Sequence, residues 1–272
     1  MRFIFSASIP IAKILLIGLI LIMSSQPFAS AEIISATSTP DVDRVLEDSV
    51  VYLGENHDSP EIHQQQLEII TQLQTDDSNK QMAIALEMFQ RPFQPVLDRY
   101  LAGEITEQQL REQTEYDTRW GFDWEFYAPI LRYAKDEQIS LIAMNTPEEI
   151  TQKVAQSGID SLKGSDYRYI PPVEDIDLSN AKYRQRLQDI YQQHVEHGGN
   201  STDADNFFAA QVLWDETMAE AIALHHQQHP NSQIIVLVGK AHVMYDYAIP
   251  NRVDRRIDNP NLAQTTILLN EE

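Results

Sequence analysis

Val50-Val51-Tyr52-Leu53-Gly54-Glu55-Asn56-His57 is the stretch that decides the fold. Four apolar residues, with no turn former among them, stop abruptly at a glycine, and polar side chains follow at once. A strand buried on both faces reads this way, because strands of a parallel sheet covered by helices carry continuous apolar runs rather than alternation. Three further runs share the pattern. Residues 82–86 end on Glu87, residues 141–144 end on Asn145, and residues 234–238 end on Gly239-Lys240-Ala241-His242. Such runs predict an α/β fold with a central, mainly parallel sheet flanked by helices.

The segments between the runs carry helix signals. Ser59 can cap a helix with Pro60 in its first position, and Ile62, Ile69, Ile70 and Leu73 then recur at helical spacing. Thr146-Pro147-Glu148-Glu149 combines a capping box with a proline in the first turn, and Gly158 stops the helix that follows. Residues 263–269 read as a final edge strand. Two stretches, about 91–138 and 163–230, are too long for simple connections and read as helical insertions in a single domain spanning 32–272. The first contains a capping box from Thr106 to Gln109. In the second, Tyr183, Leu187, Ile190, Tyr191 and His194 mark one helix, and Phe208, Val212, Ala219 and Ile222 another.

With 272 residues, 43% of them hydrophobic, the chain can bury one substantial core and would be cramped as two domains. Arg2 and Lys13 precede an apolar run over 14–23, and Ala29-Ser30-Ala31 offers a small-x-small site, the layout of a signal peptide covering 1–31. The run is about ten residues, short of the roughly 20 that cross a bilayer as a helix. The expectation is an exported, periplasmic or extracellular product starting at Glu32, with membrane contact only through an uncleaved leader or a transport partner. The absence of cysteine excludes disulfides, thiolate metal sites, a cysteine nucleophile and a lipid anchor on an N-terminal cysteine. Losing Arg2 and Lys13 lowers Lys+Arg from 20 to 18 against 41 Asp+Glu, a formal charge of −23, so nucleic acid is not an expected partner.

In open α/β sheets ligands bind beyond the carboxyl ends of the strands, where Gly54 to His57, Glu87, Asn145 and Gly239 to His242 would converge. Each glycine is expected to let the chain turn sharply, so that an imidazole three residues on points back over the strand ends. Glu55 and Glu87 can orient an imidazole, act as a general base or bind a cation. Plainer roles stand beside these: Glu87 paired with Arg91, Asn145 shaping the turn before Thr146, and either histidine as a structural group. His225-His226-His229 and His194-x-x-His197 lie on polar helix ends and read as solvated surface. The aromatic stretch from Tyr116 to Tyr127 reads either as core or as a cofactor wall in which Tyr116 or Tyr127 offers a phenolate. Arg252, Arg255 and Arg256 can hold carboxylates such as propionates, or pair at the surface with Asp254 and Asp258.

Several motifs together resemble the ChaN-like haem-binding family of the Tiki superfamily. They are Val-Tyr-Leu-Gly54-Glu-Asn-His57, Ala-Leu-Glu87-Met-Phe, Trp124-Glu-Phe-Tyr127-Ala-Pro, Ile142-Ala-Met-Asn145-Thr-Pro, Trp214-Asp215-Glu-Thr-Met218, Gly239-Lys-Ala-His242-Val and Ile249-Pro-Asn-Arg252. The resemblance implies an α/β domain that binds haem in haem or iron acquisition, with a homodimer left open in which both subunits contribute ligands. It implies tyrosine and histidine ligation without fixing the tyrosine. The implied haem-binding set is His57, His242, Glu55, Glu87, Asn145, Tyr127, Tyr116 and Arg252. The same superfamily holds the Tiki metallopeptidases and the erythromycin esterases, which implies a rival. In it, His57, Glu87 and His242 hold Zn or Mn, or Glu55, His57, Glu87 and His242 form a hydrolytic site in which a histidine is the base. A binding module with a vestigial site is a third reading, and spacing alone does not separate them.

Overall fold

The computed structural model describes residues 31–36, 42–76, 81–196, 203–245, 247–257, 259 and 262–270, with the side chains of 76 and 192–196 left out. The expected leader lies outside this set apart from Ala31, as do His197, Asp258 and the His194 side chain. Six strands form one sheet: β1 (Glu32–Ala36), β2 (Val50–Glu55), β3 (Met82–Gln90), β4 (Ser140–Asn145), β5 (Gln233–Gly239) and β6 (Gln264–Leu269). Their order is β1-β6-β2-β5-β3-β4 and every pairing is parallel. The predicted α/β architecture is therefore the one observed.

Alternate residues of each central strand feed opposite layers. Val51, Leu53, Ile84, Leu86, Ile235 and Leu237 pack on one face, while Val50, Tyr52, Ala83, Ala85, Ile234 and Val236 pack on the other. The first face is covered by α1 (Pro60–Asp76) and by the helices of the first insertion: α2 (Gln94–Leu101), α3 (Glu107–Gln113), α4 (Tyr116–Arg119) and α5 (Trp124–Asp136). The second face meets α8 (Ala204–Gln228) and α9 (Ile249–Arg256). A third apolar cluster joins α6 (Glu148–Ser157), α7 (Ala181–Glu196) and α8.

Local signals hold at two helix starts and fail at a third. Ser59 Oγ accepts from the Ile62 amide at 3.5 Å and Pro60 opens α1. At α3 both bonds of the Thr106–Gln109 capping box form, at 3.2 and 2.9 Å. The box expected at Thr146 does not form. Pro147 is the N-cap of α6 without a side-chain cap, while the Thr146 amide donates to Asn145 Oδ1 at 2.7 Å. The final strand is not an edge either, because β1 pairs along its outer side. Among the described residues no helix is long and apolar enough to cross a membrane.

Candidate functional site

The strands run a few residues past their apolar runs, so β2 itself contains Gly54 and Glu55, β3 contains Glu87, and β4 and β5 end on Asn145 and Gly239. Between Leu86 and Gln90 the β3–β4 register shifts, which re-aims the side chains around Glu87. A cavity of about 460 Å³ opens at these ends. His57, Glu87, Asn145 and His242 form its floor; Trp120, Phe122, Phe207 and Trp214 form aromatic walls. Gln90, Arg119, Thr146 and Glu148 form a polar side.

The glycines work by close approach rather than by turning. Gly239 has ordinary φ and ψ of −58° and 137°. A Cβ there would stand 2.9 Å from His57 Nε2 and 3.0 Å from its Cε1. Bare backbone on β5 thus lets the imidazole from the β2 end lie across it. A Cβ on Gly54 would meet Leu268 Cδ2 at 3.0 Å and Val243 Cγ2 at 3.2 Å, which makes that position one of packing. The sharp-turn expectation is corrected at both.

His57 Nδ1 lies 2.8 Å from Glu55 Oε1. Buried Glu55 also accepts from the Tyr127 hydroxyl and from Gln66 Nε2, each at 2.6 Å. Burial opposes charge on Glu55, but the His57 hydrogen bond, the neighbouring imidazoles of His63 and His57, and the Tyr127 hydroxyl outweigh it and hold its pKa below the ordinary value. His57 is pulled the other way: burial lowers it, yet Glu55 and Glu87 raise it overall. A carboxylate only accepts, so Nδ1 carries the hydrogen and Nε2 is the ring nitrogen left for a ligand. Trp120 and Phe122 flank the ring at 4.7 and 5.1 Å between centroids.

His242 repeats the arrangement with a different partner. Its Nδ1 lies 2.6 Å from Oδ1 of fully buried Asp215 on α8, whose Oδ2 accepts from the Tyr183 hydroxyl at 2.7 Å. Its Nε2 stands 3.6 Å from Glu87 Oε1, while Glu87 Oε2 accepts from the Gly239 amide at 2.7 Å. Burial would lower the imidazole's pKa, but the Asp215 charge and hydrogen bond and the Glu87 charge raise it to about 9. At neutral pH His242 is an imidazolium able to donate a proton from Nε2 into the cavity. Among the described residues no three His, Asp or Glu side chains form a group arranged to hold a metal ion.

The comparisons with known proteins bear on this cavity. Residues 42–253 match the family described as haem-binding uptake, Tiki superfamily, ChaN. The chain belongs to that family. The solved structure of cofacial heme binding to ChaN of Campylobacter jejuni aligns with 83% of this chain and 82% of that one, at 21% identity and a TM-score of 0.62, and shows the shared fold. The erythromycin esterase EreC, solved as a mutant in its open conformation, aligns at 13% identity and a TM-score of 0.41 over 74% of this chain and 65% of its own. Protein RETICULATA-RELATED 5, chloroplastic, of Arabidopsis thaliana is 28% identical over 246 residues, 85% of this chain. The chain spans about a third of that relative, 32% of its length.

In this ChaN-family chain the structure brings His57, Glu87, Asn145 and His242 to one cavity, with Glu55 directly behind His57. It does not bring Tyr116, Tyr127 or Arg252 there. Both tyrosines are core residues outside the lining, Tyr127 bonded to Glu55 and Tyr116 reaching the Asp123 carbonyl at 3.5 Å. Burial and the Glu55 charge push both phenols well above the ordinary value, so neither is poised as a phenolate. Trp120 and Phe122 do line the cavity, so the aromatic stretch is core in one part and wall in another. Arg252 is buried on α9, 3.5 Å from buried Glu216 and donating to the Tyr247 carbonyl at 2.9 Å. Arg255 and Arg256 also pair with Glu216, which is why the three arginines gather away from the ligand cavity.

Asn145 Nδ2 donates to the Glu87 carbonyl at 2.7 Å and its Oδ1 accepts from Trp214, so it braces two strand ends while lining the cavity. Arg91 pairs with Glu220, not Glu87. His226 is buried rather than solvated, and burial pushes half-buried His225 down to about 4. Sequence reasoning missed Asp215 as the His242 partner, although Trp214-Asp215 stood among the family motifs. A charged residue within the apolar helix pattern of α8 was the available signal.

Proposed function

We propose that this protein binds haem in the cavity at the strand ends, as an exported carrier in haem or iron handling. The observation that carries the reading is a pair of carboxylate-backed imidazoles, His57 and His242, lining a cavity walled by Trp120, Phe122 and Trp214. This donor set fits the group: ring nitrogens suit iron, and flat aromatic faces suit a macrocycle. Haem, when bound, would supply an iron centre, and a ring nitrogen of His57 or His242 would hold it. Glu55 and Asp215 fix each imidazole with Nδ1 turned inward, which leaves Nε2 as the nitrogen on offer. His242 must give up its proton before its nitrogen can act as a ligand. The leader over 1–31 and the acidic, cysteine-free composition support export, and family membership supports haem as cargo.

A hydrolase is the second reading, favoured by one feature. Protonated His242 stands 3.6 Å from Glu87, whose charge also acts on the more exposed His57, so an acid and a base stand in one site. The described side chains of His57, Glu87 and His242 are not grouped to hold Zn or Mn, so this reading rests on the imidazoles and Glu87 themselves. The deciding experiment titrates the protein and its His57→Ala/His242→Ala variant with ferric haem, beside hydrolysis assays on peptide and ester substrates with added Zn or Mn. Saturable shifts of the haem bands, lost in a variant that still unfolds cooperatively, are expected. Binding no better than to an unrelated acidic protein, with hydrolysis restored by metal, would replace haem binding by the hydrolase.

A further inference from the structure

One side of the cavity is polar in a way that neither imidazole explains. Thr146 is 2% exposed and lines the cavity, yet its hydroxyl oxygen finds no hydrogen-bond partner among the described residues. A buried hydroxyl without a partner is uncommon and costs stability, so a bound group that satisfies it removes the penalty. Beside it α6 presents its N-terminus, whose partial positive charge favours anions. Gln90 ties this end to Arg119: its Oε1 accepts from the Glu148 amide at 3.3 Å and from Arg119 Nη1 at 3.0 Å.

Arg119 is the arginine of the cavity lining. Its side chain is only 18% exposed, but two of the carboxylates that hold it, Glu115 and Glu149, are 55% and 65% exposed. Glu149 Oε1 sits 2.7 Å from Arg119 Nη2, and the Arg119 hydrogen bond holds the Glu149 pKa below the ordinary value, helped by the glutamate's own amide at the helix start. A fixed guanidinium paired with solvent-bathed carboxylates makes exchangeable bonds, since water screens such pairs strongly.

We propose that this side of the cavity is a carboxylate-binding subsite, formed by Arg119, Thr146 and the N-terminus of α6, in which Glu149 is a resident stand-in. A ligand carboxylate takes the Arg119 Nη2 donor that Glu149 Oε1 now occupies and accepts a hydrogen bond from the Thr146 hydroxyl, and Glu149 swings into solvent. The planar two-oxygen anion matches a guanidinium better than any neutral group does. The inference rests on the haem reading for the macrocycle, and assigns its acidic edge to the Arg119 side.

The test compares ferric haem, which carries two carboxylates, with its dimethyl ester, each titrated by absorbance into the protein and its variants. Wild type is expected to bind the diacid about tenfold more tightly than the diester, the advantage of a charge-assisted hydrogen bond. Thr146→Val should weaken the diacid about fivefold while leaving the diester unchanged, since only a hydroxyl is lost. Glu149→Gln should tighten the diacid by removing its competitor. Neither variant breaks a buried pair, so both keep the fold, and Arg119→Met adds a third arm if circular dichroism shows it folded. Equal affinity for diacid and diester in wild type, or variants that shift both alike, would overturn the subsite while leaving haem binding intact. Failure of both ligands to bind overturns the haem reading and the subsite with it.

Discussion

The two imidazoles enter one cavity from opposite halves of the chain, and the contrast between them shows what a motif leaves unspecified. Each stands three residues after a glycine and each gives Nδ1 to a carboxylate, at 2.8 Å for His57 and 2.6 Å for His242. Glu55, the partner of His57, comes from two residues upstream on the same strand end. Asp215, the partner of His242, comes from α8 and is brought in by tertiary packing. The His57 side chain is 27% exposed and the His242 side chain 10%. The deeper histidine keeps its proton to about pH 9 because Asp215 and Glu87 face it where little water screens them, whereas the His242 charge itself opposes protonation of His57.

The largest effect expected from this contrast is at Asp215. Asp215→Asn leaves a buried imidazolium without its nearest counter-charge, and breaking a buried pair costs roughly 3–5 kcal/mol. Glu55→Gln should cost less, roughly 1–3 kcal/mol, because His57 is better hydrated and an amide oxygen can still accept. Urea unfolding at pH 7 measures both, and equal losses would break the comparison.

Next is the pH dependence. His242 is raised in the folded state from an ordinary 6.5 to about 9. Its contribution is thus complete below about pH 6.5 and is lost as the pH rises through about 9, on the order of 3 kcal/mol in all. His57, also raised, loses its contribution in the same direction. Urea midpoints between pH 6 and pH 10 should fall, with a shallower fall in Asp215→Asn; a flat profile would refute the assignment of the proton to His242.

The glycines give the smallest and sharpest comparison. Gly239→Ala forces a methyl to 2.9 Å from His57 Nε2, whereas Gly54→Ala forces one onto the apolar side chains of Leu268 and Val243. Each is expected to cost about 1–3 kcal/mol by overpacking. Gly239→Ala alone should also weaken haem, by about tenfold or 1.4 kcal/mol, because it displaces an imidazole rather than a leucine. Equal loss of ligand affinity in the two variants would show that the glycines act only through the fold.

Much of this molecule was legible in its sequence, for reasons of short range. Apolar runs that stop on polar residues located β2, β3, β4 and β5, because burial on both faces is written in consecutive side chains. The polar residues closing those runs, His57, Glu87, Asn145 and His242, gave the floor of the cavity, because a parallel sheet sends every strand end to the same side. Ser59 and Thr106 gave helix starts because a cap is settled within four residues. The box at Thr146 failed because Pro147 became the N-cap and the Glu149 carboxylate that the box needs is held by Arg119, far away in sequence. Tyr127 and Arg252 carried suitable chemistry but were turned to Glu55 and Glu216, partners supplied by other elements. The edge position of β6 was lost to β1, a strand with too few apolar residues to announce itself. The sequence by itself determined which residues are buried along each strand and which groups arrive at the strand ends. Only the tertiary structure decided which carboxylate meets which imidazole, and hence where the proton resides, because that pairing depends on how helices dock across the sheet and on how much water they exclude.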